Sequence, residues 1–340
     1  MLPLRTTVVH LAVAALSLVS TSGCANAPMS YTPPTIAPAA PAVSPATSGP
    51  TTGTVLPFDG LPVSALFDAT AGQLAVLRRG TDSRAAAAVV LVGASPITIP
   101  LPGPATALAG DGHGTLFVAM RGGYAVVDLP SRHVNRIGVS DPTTDFTAIA
   151  RRADGRLALG SADGSVYLLS DDHGTVASQT KIFARVDALA AQGNTVIVLD
   201  RGQTLVTTIR PDGHPEQSLR AGSGATTLAV DPQGRALVAD TRGGSLLVYG
   251  VDPLMLRQSY PVPDAPYGVA GSNTLAWVSQ TASNTVIGFD LSTGIPVEKV
   301  RYRTVQQPDS LAFDDASGTL YVVSGSGAGV HVIPNAAGRP

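Results

Sequence analysis

Chemistry in this chain would have to be built from few groups: two glutamates, Glu216 and Glu298, six histidines and one cysteine, Cys24. His113, His173 and His214 stand in turn sequences (DGHG, DDHG, PDGHP), His10 lies in an apolar run, and His133 and His331 are isolated. Each therefore reads as a turn or surface residue, or as part of a leader. No H-x-H or H-E-x-x-H spacing brings two imidazoles to one face, so no zinc site is predicted. A G-x-S-x-G elbow is missing, which argues against the common serine hydrolases. The glycine-rich run Gly325–Gly329 has no lysine and no helical pattern after it, so it reads as a hairpin turn and not a phosphate cradle. Acidic turns such as Asp154-Gly155 and Asp163-Gly164 offer one carboxylate each, whereas calcium needs about six to eight oxygens. The expectation is no catalytic residue, no metal and no cofactor.

What remains is a set of arginines, aspartates and polar residues that fall at one phase of a repeat. The ends of the second strands place Arg78, Met120, Ser161, Asp200, Asp240, Ser279 and Ser324 at equivalent positions, with Arg79, Arg121, Ala162, Arg201, Thr241, Gln280 and Gly325 one residue further on. The approaches to the first strands add Asp145, Arg185, Asp187, Tyr267 and Asp309. From these a ligand-binding face is predicted: Arg78, Arg121, Asp187, Asp200, Arg201, Asp240, Arg242, Tyr267, Gln280 and Asp309. Arginine and aromatic side chains are common anchors of binding surfaces. In a chain with only 14% charged residues, the face is richer in Arg and Asp than an even spread would make it.

The repeat that positions them is clearest in residues 224–253, GATTLAVDPQGRALVADTRGGSLLVYGVDP, read as three short strands joined by Asp231-Pro232-Gln233-Gly234 and Thr241-Arg242-Gly243-Gly244 turns. The apolar anchor of its first strand, Leu228, recurs as Leu66, Leu108, Ile149, Leu189, Val269 and Leu311, at intervals of 39 to 42 residues. Each anchor is followed by a second and a third strand pattern. A period of about 40–45 residues with four strands per unit predicts an all-β, seven-bladed β-propeller. The seventh repeat stops after Val330–Ile333 without a fourth strand, while residues 53–58 (GTVLPF) precede the first repeat and belong to none. That segment is predicted to supply the missing outer strand and so close the ring. Trp277, the only tryptophan, sits inside a second strand and is expected to pack between blades.

The N-terminus carries an address. Arg5 is followed by an apolar run from Val8 to Val19, too short to span a bilayer and ending in small residues, the pattern of a secretory signal peptide. A lone cysteine in an exported protein has no internal disulfide partner. Thr21-Ser22-Gly23-Cys24 resembles the bacterial lipobox, with Thr21 in place of the usual leucine, and the resemblance implies that Cys24 becomes a lipidated first residue. Residues 1–23 are thus read as signal peptide, 24–52 as a Pro/Ala/Ser/Thr-rich tether and 53–340 as the propeller. The tether has no charged residue through Thr54 and is expected to be disordered.

GSADGSVYLL resembles the turn and third strand of WD-repeat blades, and VADTRGGSLLVY and FDLSTG resemble the NHL and YVTN propeller types. The whole arrangement is similar to actinobacterial envelope lipoproteins. These resemblances imply a scaffold that binds proteins or peptides; a shared fold does not carry a function across. Gluconolactonase-like propellers hold calcium through a channel glutamate, but Glu216 and Glu298 both fall in predicted outer strands. A net charge of −2 gives no reason to expect nucleic acid. The reading is a non-catalytic, membrane-anchored extracytoplasmic binding module whose partner is an envelope protein or a cell-wall polymer. The alternative is a propeller hydrolase, lactonase-like or otherwise, with a channel site that the sequence does not expose.

Overall fold

The computed structural model describes residues 33–338, apart from 48, 83 and 140. The predicted signal peptide, Cys24 and the predicted tether as far as Thr32 lie outside the described residues. Among those described, every regular element is a β-strand, and no helix is long and apolar enough to cross a membrane.

Seven four-stranded antiparallel sheets form the seven blades. Six are simple meanders in chain order, beginning at Pro62–Asp68, Ala105–Gly110, Phe146–Arg151, Ala188–Gln192, Ala225–Val230 and Pro266–Gly271; the seventh begins at Pro308–Asp314. All seven predicted anchors lie on these innermost strands. The residue before each anchor is small (Ala65, Ala107, Ala148, Ala188, Thr227, Gly268, Ser310).

At three of these strands a threonine at or beside that position ties one blade to the next. Thr106 donates to the carbonyl of Phe146 (2.7 Å), Thr147 to that of Val186 (2.5 Å) and Thr227 to that of Tyr267. The chain separations are 40, 39 and 40 residues, so the sequence period reappears in these cross-blade bonds. Burial follows the same geometry. There are seven apolar clusters, and each fills the gap between two neighbouring blades rather than one central core. Trp277 packs between blades six and seven, fully buried and stacked on Phe313 with ring centroids 5.4 Å apart.

Closure follows the predicted scheme. Thr54–Leu56 pairs antiparallel with Val330–Ile333, in the register Thr54 to Val332, Val55 to His331 and Leu56 to Val330, and completes the last blade. Gly53 leads into it with a φ of +93°, and a Cβ there would lie 2.2 Å from the Val332 carbonyl oxygen, so glycine is required. His331 was expected at a turn or surface. It is instead buried within the closing sheet. Its Nδ1 lies 2.9 Å from the Thr304 hydroxyl and its Nε2 2.5 Å from the Thr52 carbonyl. A carbonyl can only accept, so Nε2 carries the proton and Nδ1 accepts from Thr304.

The described part of the tether differs from the expectation of disorder. From Pro33 to about Thr47 the chain has no regular secondary structure, yet it lies extended along the propeller, with Pro33, Ala39 and Ser44 buried. Composition could not show this, because most of the bonds that hold the segment are made to its main chain and only the Ser44 side chain takes part.

Candidate functional site

The extended segment crosses the loops that join second to third strands and those that lead into first strands, over blades four to seven. Ten hydrogen bonds hold it there among the described residues. The Ile36 amide donates to the Gly202 carbonyl (2.8 Å). Arg242 Nη2 donates to the Ala37 carbonyl (2.7 Å) and Arg201 Nη2 to that of Ala39. Further along, the Ala42 amide donates to Thr281 Oγ1 (3.0 Å), and Gln307 Nε2 donates to the Ala42 carbonyl (3.1 Å). Ser44 is held on every side: its amide donates to Gln307 Oε1 (3.1 Å), its hydroxyl donates to the Thr281 carbonyl (2.6 Å) and accepts from the Gln307 amide (2.9 Å), and its carbonyl accepts from Gln306 Nε2 (3.1 Å). Asn284 Nδ2 completes the set on the Pro45 carbonyl (2.7 Å).

Local backbone geometry prepares these donors. Asn284 and Gln307 adopt positive φ angles of 49° and 56°, which turn their hairpin and inter-blade loop towards the segment. Gly224 must be glycine for a different reason. A Cβ there would come within 2.7 Å of the Arg242 Cβ and 3.0 Å of the Ala39 Cβ, closing the slot in which Ala39 sits.

The residues predicted for the face fall into four groups, the last of them in the central channel. Arg201 and Arg242 hold the segment. Asp200, Asp240 and Gln280 are buried and committed to the scaffold. Asp200 accepts from the amides of Ala184, Arg185 and Gln203 at 2.8–3.2 Å, and Asp240 accepts from those of Ser223, Gly224 and Gly243 at 2.8–3.0 Å. The same three-amide knot thus recurs one blade later, joining each first-strand approach to its hairpin. Gln280 bridges the Pro263 carbonyl, Thr285 and Arg301. The third group is unencumbered by the segment: Arg121 is exposed, and Arg78 is half-buried with Nη1 3.5 Å from the Asp59 carbonyl.

Asp187, Tyr267 and Asp309 line the central channel with Arg79 and the first-strand side chains, around a cavity of about 590 Å³. Burial pushes the carboxyl of Asp187 up, against the pull of the Arg201 amide at 2.8 Å and the nearby Arg201 and Arg185 guanidinium groups. Burial likewise raises Asp309, which accepts from Gln307 Nε2 at 3.0 Å, and Tyr267. The cavity lining contains neither histidine nor glutamate. Glu216 and Glu298 lie on the outer strands Pro215–Arg220 and Val297–Arg303. His113 sits in the exposed turn between the first and second strands of blade two, His173 and His214 in exposed turns between third and fourth strands, and His133 on the outer strand His133–Gly138. Among the described residues no group of three His, Cys, Asp or Glu side chains converges as a metal site.

Sequence reasoning missed Thr281, Asn284, Gln306 and Gln307, which make seven of the ten bonds to the segment. They are uncharged, and the search weighted charge. The one available signal was their place in the repeat, since Thr281 and Asn284 lie in the blade-six hairpin that corresponds to the hairpins of Arg201 and Arg242.

No protein-family model matches the sequence, and no curated protein matches it. Solved structures do resemble the fold. The WD40 repeats of RRP9 superpose with a TM-score of 0.67 at 14% identity, over 86% of this chain and 98% of that one. A chain of the mitotic checkpoint complex gives 0.70 at 12% identity, over 85% and 96%. Virginiamycin B lyase from Staphylococcus aureus gives 0.67 at 12% identity, over 84% and 99%. At such identities the likeness is one of architecture, shared by a lyase and by WD40 repeats.

Proposed function

We propose that this protein is a non-catalytic binding module, exported, anchored through lipidated Cys24 to the outer side of the cytoplasmic membrane, and presenting its propeller face to an envelope protein or cell-wall polymer. The observation that carries this reading is the chemistry of the face. Its donors are guanidinium and amide groups on stiff hairpins, arranged to hold a polar chain and not to move protons. Binding on such a rigid ring costs little ordering entropy in the receptor. A lyase reading has a structural neighbour behind it. A variant of the Staphylococcus aureus enzyme with one histidine replaced by alanine is catalytically inactive. In this chain the five described histidines all lie away from the channel, which favours binding over that chemistry.

A two-armed experiment in the native envelope tests the reading. Wild-type protein should partition with membranes and incorporate a clickable fatty acid, while Cys24→Ser should do neither; two acyl chains are enough for stable attachment. Crosslinking on intact envelopes should yield one saturable adduct that Arg78→Ala/Arg121→Ala reduces at least tenfold. Equal adducts from both forms would remove the site, and fatty-acid labelling of Cys24→Ser would remove the anchor.

A further inference from the structure

We propose that residues 33–46 are a built-in, displaceable ligand of the propeller face, and that the groove they fill accepts an extended proline-rich polypeptide from a partner through the same main-chain bonds. This names the ligand class for the binding module proposed above and rests on that reading.

The occupant displays the recognition chemistry. An extended polyproline-like chain makes no internal hydrogen bonds, so its carbonyls are free to accept from side chains. Here five of the nine carbonyls from Ala37 to Pro45, those of Ala37, Ala39, Ala42, Ser44 and Pro45, meet Arg242, Arg201, Gln307, Gln306 and Asn284 respectively. Prolines at 38, 41 and 45 have no amide to leave unsatisfied, and their fixed φ lowers the entropy lost on docking. Two side chains are read. Ala39 fits the slot that Gly224 keeps open, and the Ser44 hydroxyl both donates and accepts. Val43, between them, is 93% exposed and is not read. The groove thus selects an extended chain with a small residue and a serine five positions apart, spaced by prolines.

Two features make the occupant removable. Most of its side chains face solvent, so polar contacts at the rim hold it and not apolar burial. Ring closure also does not depend on it: the closing strand Thr54–Leu56 lies further along the chain, with its own partners. Tethered a few residues from that strand, the segment competes at an effective concentration of roughly millimolar. An intact chain therefore resists a ligand that the vacated groove would accept.

The test uses the full chain with a protease site placed at residues 49–51, and a fluorescein-labelled peptide of residues 33–47 as probe. Uncut protein should bind the probe at least tenfold more weakly than protein cut and freed of its fragment, which should bind one probe per chain. Replacing the serine of the probe by alanine, or Gln307→Ala in the protein, should weaken binding at least tenfold, with the melting temperature of the cut protein unchanged. Cut, folded protein that neither binds the probe nor exchanges its own fragment for it would overturn the proposal. So would an uncut dimer that becomes monomeric on cutting, because the segment would then lie on a second copy. The adduct experiment on envelopes fails or succeeds independently: probe binding without any envelope adduct would preserve the groove and remove the wider function.

Discussion

The face divides into two halves that the repeat makes equivalent and the N-terminal segment makes different. Over blades four to seven, hairpin residues such as Arg201, Arg242 and Thr281 are spent on the chain's own main chain. Over blades one to three the corresponding positions, with Arg79, Arg121 and Asp145 exposed, take no bond from the segment among the described residues. One scaffold therefore carries a filled groove and an open surface. The filled half shows how this geometry recognises a ligand: donors from four neighbouring blades address carbonyls spread along an extended chain. The open half offers charge without a groove.

The largest expected effect that would sharpen this contrast is on the strap. Gln307→Ala removes the side-chain bonds to the Ala42 carbonyl and the Ser44 amide, together with the bond to Asp309 in the channel. At a net of about 1 kcal/mol per bond, the strap should open some ten- to hundredfold more often. Hydrogen exchange should record that loss at residues 42 and 44 while the innermost strands keep their protection. Unchanged exchange at those amides would mean that the strap is held by something other than these bonds.

An intermediate effect concerns the hinge between strap and ring, where His331 receives the chain after it leaves the face. Burial lowers the pKa of His331 below its ordinary 6.5, partly countered by the bond to the Thr52 carbonyl. The unfolded chain then binds more protons than the folded one between 6.5 and the lowered value. Stability is complete above 6.5 and declines as the pH falls through that window. Urea midpoints measured from pH 8 down to pH 5 should fall on acidification, with exchange at Val55 and Leu56 rising first. His331→Gln should flatten this dependence; an identical slope in the variant would place the acid sensitivity elsewhere.

How much of this was legible depends on where the information resides. The ring was written in the positions of Leu66, Leu108, Ile149 and their equivalents, because a period of about 41 residues is set by blade geometry and each blade must repeat it. Closure was legible as well, since the last repeat lacked a strand that residues 53–58 could supply. Asp200 and Asp240 were found at the right phase for an understandable reason: that phase is where the backbone needs an acceptor for three amides, so charge there signals scaffold as readily as ligand. The strap was opaque. Its own residues are mostly prolines and alanines with no period and no charge, and apart from the Ser44 hydroxyl the face meets its main chain, which every sequence has. The information lay instead in the receptor, at Gly224, Asn284 and Gln307, where a missing Cβ and two positive φ angles build the groove. The glycine is plain in the sequence, but what its missing Cβ makes room for, and the two φ angles, are visible only in the coordinates.

The smallest expected effect decides whether the two halves are separate. Arg121 occupies, in blade two, the position that Arg201 occupies in blade four, yet it is exposed and meets its surroundings through its backbone: a bridge to Asp145, and a carbonyl that accepts from Arg136 Nη2 at 3.0 Å. A surface truncation of this kind shifts stability by no more than about 0.5 kcal/mol. Arg121→Ala should therefore leave the melting temperature, the exchange of residues 36–46 and the affinity of the vacated groove for the probe peptide all unchanged, while Arg201→Ala, which breaks the bond to the Ala39 carbonyl, weakens the last two. If Arg121→Ala loosened the strap as much as Arg201→Ala does, the blades would be transmitting strain around the ring, and the open half would be part of the groove and not a surface beside it.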